Sequence, residues 1–193
     1  MTMFDVNDLG AFERRGSGVR TSGEILHTYD LTVIASDADS VVASAGGWLC
    51  DRVRAGWQVT VVVPEAADVR ALTILGVAVE TSMPHDEALQ QPAAAVAVDA
   101  SVLRRDDSVR RDVLRLVDSR RVEVTVWGEA PLFGSDARFE RVRHRLSAAA
   151  RAFKSGALRT SGHAETHSGA EEFVSTALWY PPDGADLVPI AER

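Results

Sequence analysis

Three short groups of residues in this chain have the types that do chemistry. Ser36-Asp37-Ala38-Asp39-Ser40 sets two carboxylates among hydroxyls, a combination that suits a cation or a polar ligand. His163-Ala164-Glu165-Thr166-His167 places two imidazoles four residues apart. On a helix such a pair can grip one zinc ion, with Glu165 as a base. The flanking RTSG and SGAE are loop-like, and the order H-x-E-x-H is not the H-E-x-x-H of zinc proteases, so a polar surface loop is the preferred reading. In His85-Asp86-Glu87 the adjacent side chains diverge and only one would reach a common ion, so a solvated loop or helix start is expected. The lone cysteine, Cys50, falls in a helical pattern and reads as a buried thiol rather than a nucleophile.

The first group sits inside a strand-helix-strand unit running from Leu31 to Glu65. Leu31–Ser36 and Gln58–Val63 are short, rich in Val and Ile, and too apolar to be half-exposed, as parallel strands covered on both faces are. Between them Val41, Ala45, Trp48, Leu49 and Val53 recur at steps of three and four, which predicts a helix with one stripe on the sheet. Asp39 or Ser40 is the expected N-cap, and Gly56 the C-terminal stop. Ligands of open α/β sheets gather at the carboxyl ends of strands, here the turn Ser36–Ser40. Gly46-Gly47 inside the helix costs about 1 kcal/mol per glycine against alanine, so something must approach closely; tight packing of helix on sheet is preferred to a ligand. No G-x-G-x-x-G joins strand to helix, which argues against a dinucleotide held in that way.

Further along, strands are expected around Val77–Thr81, Ala94–Val98, Val122–Trp127 and Val174–Tyr180. A helix opening at Asp106 or Asp107 carries Val109, Val113, Leu116 and Val117 on one side. Phe139, Val142, Leu146, Ala149 and Phe153 predict another helix ending before Gly156, with His144 solvated among Arg141, Arg143 and Arg145. The fold class is therefore α/β: a Rossmann-like three-layer arrangement with a mostly parallel sheet and helices on both faces. Residues 1–28 read as an N-terminal arm and 29–193 as a single domain.

The order strand, acidic turn, helix with internal Gly-Gly and then VVV resembles the start of the PIG-L-like (LmbE-like) zinc deacetylases, which act on N-acetylglucosamine-type substrates. That family's turn reads H-P-D-D-E, in which the His and second Asp bind zinc and the first Asp is the general base. The resemblance puts Ser36 at the His, Asp37 at the Pro, Ala38 at the base, Asp39 at the metal-binding Asp and Ser40 at the Glu. The second motif, G-H-P-D-H, corresponds to Gly134-Ser135-Asp136-Ala137-Arg138, so Ser135 and Arg138 stand at its histidines. Lys154-Ser155-Gly156-Ala157-Leu158 is similar to the family's K-x-x-A-L, and Ala170-Glu171-Glu172-Phe173 to its A-E-x-F. A catalytic zinc needs three protein ligands and an open water position. The resemblance thus implies a degenerate member without catalytic residues or metal, whose emptied cleft is lined by Ser36, Asp37, Asp39, Gly134, Ser135 and Asp136. The alternative it leaves is a zinc-dependent deacetylase with a relocated site built from Asp37, Asp39, His163 and His167.

Composition bounds the partners. The net charge of -7 argues against non-specific nucleic-acid or anionic-membrane binding. One cysteine excludes an intramolecular disulfide framework, and no apolar run approaches a membrane span or a signal-peptide core. A cytoplasmic protein is expected, binding a protein partner or a small polar, sugar-like ligand, with a homo-oligomer open. A third reading, a Rossmann-like subunit of a larger assembly, would be marked by an exposed Trp127 or Trp179 beside the arm.

Overall fold

In the computed structural model the described residues are 20–21, 24–25, 29–65, 67–128, 136–163, 168–176 and 186–190. Alternating apolar residues build the sheet. In β3 (Asp30–Ile34), Leu31 and Val33 face one core and Ile34 the other. In β6 (Ala95–Asp99), Ala95 and Ala97 face the first core, and Val96 and Val98 the second. With both faces covered β6 is buried along its whole length, while β3 keeps Asp30 and Thr32 partly exposed.

Among the described residues the main sheet has eight strands in the order β10-β8-β9-β7-β6-β3-β4-β5. The remaining members are β4 (Gln58–Val62), β5 (Ala78–Glu80), β7 (Glu123–Trp127), β8 (Glu140–Arg145), β9 (Ala170–Ser175) and β10 (Val188–Pro189). From β7 to β5 the pairs are parallel, with Val33 level with Val61 and with Ala97. β9, β8 and β10 extend the sheet by antiparallel pairs. The mostly parallel sheet expected from the sequence is present, with helices on both faces.

Helices α1 (Ala38–Arg54), α2 (Arg70–Ile74) and α6 (Ala148–Thr160) pack on the first face. Helices α3 (His85–Gln90), α4 (Ala100–Arg105) and α5 (Asp107–Ser119) pack on the second. Trp48 on α1 is fully buried, and a side chain of that size contributes roughly 1.5–3 kcal/mol through burial. Cys50 is buried, as expected, and burial pushes its thiol pKa up. His85-Asp86-Glu87 opens α3. Of the N-terminal arm, β1 (Arg20–Thr21) and β2 (Glu24–Ile25) form a small antiparallel pair, and the rest lies outside the described residues.

Two helix boundaries differ from the expectation. The N-cap of α1 is Asp37, not Asp39 or Ser40: its extended backbone lets Oδ1 accept the Ser40 N–H at 2.7 Å. The helix expected from Phe139 is strand β8 followed by α6. Val142, His144 and Leu146 point inward at a spacing of two while Arg141, Arg143 and Arg145 point out. His144 is consequently buried, not solvated: its Nε2 lies 2.9 Å from Asp51 Oδ2 and its Nδ1 2.8 Å from the Asp186 carbonyl. The last large strand spans Ala170–Ser175 rather than Val174–Tyr180, and residues 177–180 lie outside the described residues. Trp127 is buried, so it offers no contact surface; Trp179 lies outside the described residues.

The glycine pair in α1 is explained by packing. A Cβ on Gly47 would lie 2.4 Å from Leu146 Cδ2, and one on Gly46 3.2 Å from Leu75 Cδ1. The close neighbours come from the β8–α6 junction and from the residue after α2, rather than from the sheet beneath.

Candidate functional site

Strands β3 and β6 lie side by side, yet the chain leaves β3 into α1 on one face and leaves β6 into α4 on the other. At the carboxyl ends of strands that diverge in this way, open α/β sheets have the crevice in which they bind ligands. Asp99 closes β6 there. Its Oδ1 accepts the Ser101 N–H at 2.7 Å, which makes it the N-cap of α4, and its Oδ2 accepts the Ser40 hydroxyl at 2.8 Å. The Ser36 hydroxyl lies 3.0 Å from Asp99 Oδ2 and 2.9 Å from Asp37 Oδ2, so its single proton serves one carboxylate at a time. Ser101 Oγ donates to Ser36 Oγ at 3.0 Å, and the Trp127 indole N–H donates to Ser40 Oγ at 3.2 Å.

Asp99 is only 4% exposed. Burial opposes its ionisation, but the Ser101 N–H and the hydroxyls of Ser40, Ser101 and Ser36 outweigh burial and hold its pKa below the ordinary carboxylate value. The crevice floor is thus an anion saturated by hydroxyls, continuous with Asp37 at the head of α1.

The sequence-derived site residues divide. Ser36 and Asp37 are in this network. Asp39 lies in the first turn of α1, exposed, with His163 Nε2 3.4 Å from its Oδ2. Gly134, Ser135 and His167 lie outside the described residues. Asp136 does not join the crevice. Its partner Arg138 also pairs with Asp118 in the last turn of α5, which leads into the amino end of β7, the opposite end of the sheet. The physical reason is that β8, one strand away across β9, runs parallel to β7 and starts level with its middle, Glu140 and Thr125 both being level with Ser175, so residue 136 lies toward the amino end of β7. Hydrogen bonds from Arg138 pull the Asp136 pKa down to about 2, which marks a surface ion pair.

Asp99, Ser101 and Trp127 are the residues that sequence reasoning missed. The available signal was an Asp closing an apolar strand two residues before a Ser, the pattern of an N-cap at a strand's carboxyl end.

The donor chemistry can be tested against the zinc that the resemblance implies. Among the described residues no three His, Cys, Asp or Glu side chains converge as a metal-holding group. Asp37 and Asp99 already accept hydrogen bonds from Ser36, Ser40 and Ser101, and His163 is the one imidazole that a described contact brings to the first turn of α1. The described residues do not make a catalytic zinc site.

Comparison with solved structures bears on the architecture. The chain shares its fold with teicoplanin-pathway deacetylases. A deacetylase triple mutant from the teicoplanin biosynthetic pathway superposes with a TM-score of 0.50 at 16% identity, over 76% of this chain and 96% of that one. A deacetylase–teicoplanin complex from the same pathway gives a TM-score of 0.50 at 14% identity, with the same coverage of each chain. At these identities the likeness is one of fold. No protein-family model matches the sequence, and no curated protein does.

Proposed function

We propose that this chain is a PIG-L-like domain that has given up zinc-dependent deacetylation and binds a small polar, sugar-like ligand at the carboxyl ends of β3, β6 and β7. Residues 29–193 form the domain and 1–28 an arm. Ser36, Asp37 and Asp39 line the site with Asp99 and Ser40; Gly134 and Ser135, also expected there, lie outside the described residues. The observation that carries this reading is the Asp99 network: hydroxyls of Ser36 and Ser40, at the positions of the family's His and Glu, are spent on a buried carboxylate. Such a cluster exchanges hydrogen bonds readily with the hydroxyl groups of a sugar. A protein partner at the same cleft is the other binding mode.

Titration with glucosamine and N-acetylglucosamine, followed through the Trp127 indole N–H resonance, tests the reading. A saturable shift that Ser36→Ala weakens supports it, and no shift with either sugar removes the sugar class.

A relocated deacetylase site is favoured by one specific observation, the approach of His163 to Asp39. In that reading Asp37 and His167 would complete the ligand set, and a metal held there would provide an activated water. Elemental analysis after expression with added zinc separates the two readings. Near-stoichiometric zinc that Asp39→Ala abolishes overturns the metal-free one.

A further inference from the structure

Away from the crevice, the C-terminal segment 186–190 is held by one carboxylate. Asp186 Oδ2 accepts from Arg52 Nε at 2.5 Å and from the Trp48 indole N–H at 2.9 Å, and its Oδ1 from Arg52 Nη2 at 2.9 Å. Its carbonyl faces His144 Nδ1, and beyond it β10 pairs with β8 while the Ile190 N–H donates to the Arg141 carbonyl at 2.9 Å. Arg52 is clamped between two rings, its guanidinium carbon 3.9 Å from the Trp57 centroid and 5.1 Å from that of Trp48.

The same Nη2 also reaches toward Glu123 Oε1, but only to 3.4 Å. Glu123, 3% exposed, has no hydrogen-bond partner for Oε2, and its other neighbour is the Thr125 hydroxyl at 3.4 Å from Oε1. The charged and titratable groups facing it are Arg52 from α1 and Asp186 from the C-terminal segment, with His144 of β8 and Asp51 of α1 behind Asp186. One guanidinium balances one carboxylate, so a second buried anion would be uncompensated. The geometry drawn here, with Arg52 turned to Asp186, is the one that suits Glu123 as a neutral acid.

We propose that Glu123 is a proton-operated latch on the C-terminal segment: while protonated it leaves Arg52 to Asp186 and residues 186–190 stay docked, and once ionised it draws Arg52 away and the segment loosens. The direction follows from competition for one cation. Desolvation, against the opposing pull of Arg52, raises the pKa of Glu123 above its ordinary 4.5, so the release lies on the less acidic side of that value. A single coupled proton makes opening up to about tenfold easier per pH unit while the acid titrates.

The test is NMR on the full chain over roughly pH 4 to 9, a range spanning the ordinary and the raised carboxyl values. Three signals are followed: the Glu123 carboxyl carbon, the Trp48 indole N–H, and the exchange of the Ile190 amide relative to that of Ala35. The expected result is a Glu123 midpoint above 4.5, with the Trp48 signal moving and the relative Ile190 exchange rising about that same midpoint. In Glu123→Gln, which is neutral at every pH, both responses should flatten with the segment docked. A Glu123 midpoint at or below 4.5 overturns the proposal, as does a Trp48 signal that fails to follow Glu123. An unchanged response in Glu123→Gln also overturns it, by assigning the titration to Asp186 or His144. If Glu123→Gln does not fold, the wild-type carbon titration and the Trp48 signal still decide.

Discussion

Lys154 Nζ lies 2.5 Å from Glu171 Oε1 where α6 crosses α1, and both side chains are almost fully buried. The pair is set against the backbone of α1. Glu171 accepts the N–H groups of Gly47 and Trp48 at 2.9 and 2.7 Å, and Lys154 donates to the Ala43 carbonyl at 2.7 Å. In a regular helix the Gly47 N–H points at the Ala43 carbonyl, so each charge addresses the matching pole of one helical hydrogen bond. This ties β9, α6 and α1 together behind the crevice.

Removing one member strands a charge. Lys154→Met leaves the Glu171 carboxylate buried with only backbone donors, and a loss of about 3–5 kcal/mol is expected in urea unfolding. The double variant Lys154→Met with Glu171→Leu should cost less than the sum of the single changes, because the α1 backbone groups can then bond to each other. An additive result would mean that the two side chains act independently.

Gly47 and Gly46 should respond differently to alanine. Gly47→Ala gains up to about 1 kcal/mol in helix propensity but drives a methyl into Leu146, an overpacking penalty of about 1–3 kcal/mol, so net destabilisation is expected. Combining it with Leu146→Val should recover part of the loss. Gly46→Ala meets the flexible end of Leu75 and should lie within about 1 kcal/mol of wild type. Thermal midpoints of the three variants check the order.

The exposed pair Asp39–His163 should matter little to the fold. Asp39→Ala is expected to change stability by less than about 1 kcal/mol, as exposed ion pairs do. A larger loss in chemical denaturation would show that the pair is part of the scaffold rather than an addition to it.

The parts of this fold legible in the sequence are those with one dominant period. Leu31, Val33 and Val59, Val61 mark buried strands, and Val41, Ala45, Trp48 and Leu49 mark the helix between them. β8 was illegible because Val142, Leu146, Ala149 and Phe153 satisfy a helical spacing, while the period of two depends on counting His144 as an inward residue. The crevice was half legible. The Ser36–Ser40 turn announces itself, but Asp99 reads as a strand end, and its closeness to Ser36 and Ser40 exists only after β6 pairs with β3. Glu171 and Gly47, 124 residues apart, carry no local trace of their bond.

The pH dependence of stability should fall on both sides of a maximum, for opposite reasons. Asp99 has its folded pKa below the ordinary 3.8, burial being outweighed by serine hydrogen bonds. Asp51 is likewise lowered, burial being outweighed by Ser147 and His144. Their stabilisation is complete above about 3.8 and is lost as pH falls through the folded values. Glu123 has its folded pKa raised by burial, so its contribution is complete below about 4.5 and is lost as pH rises from there through the folded value. Urea midpoints measured across pH should therefore lose the acid-side slope partly in Asp99→Asn and the neutral-side decline in Glu123→Gln. If Glu123→Gln instead steepened the neutral-side decline, the Glu123 carboxylate would be stabilising when ionised, against the direction that its burial sets.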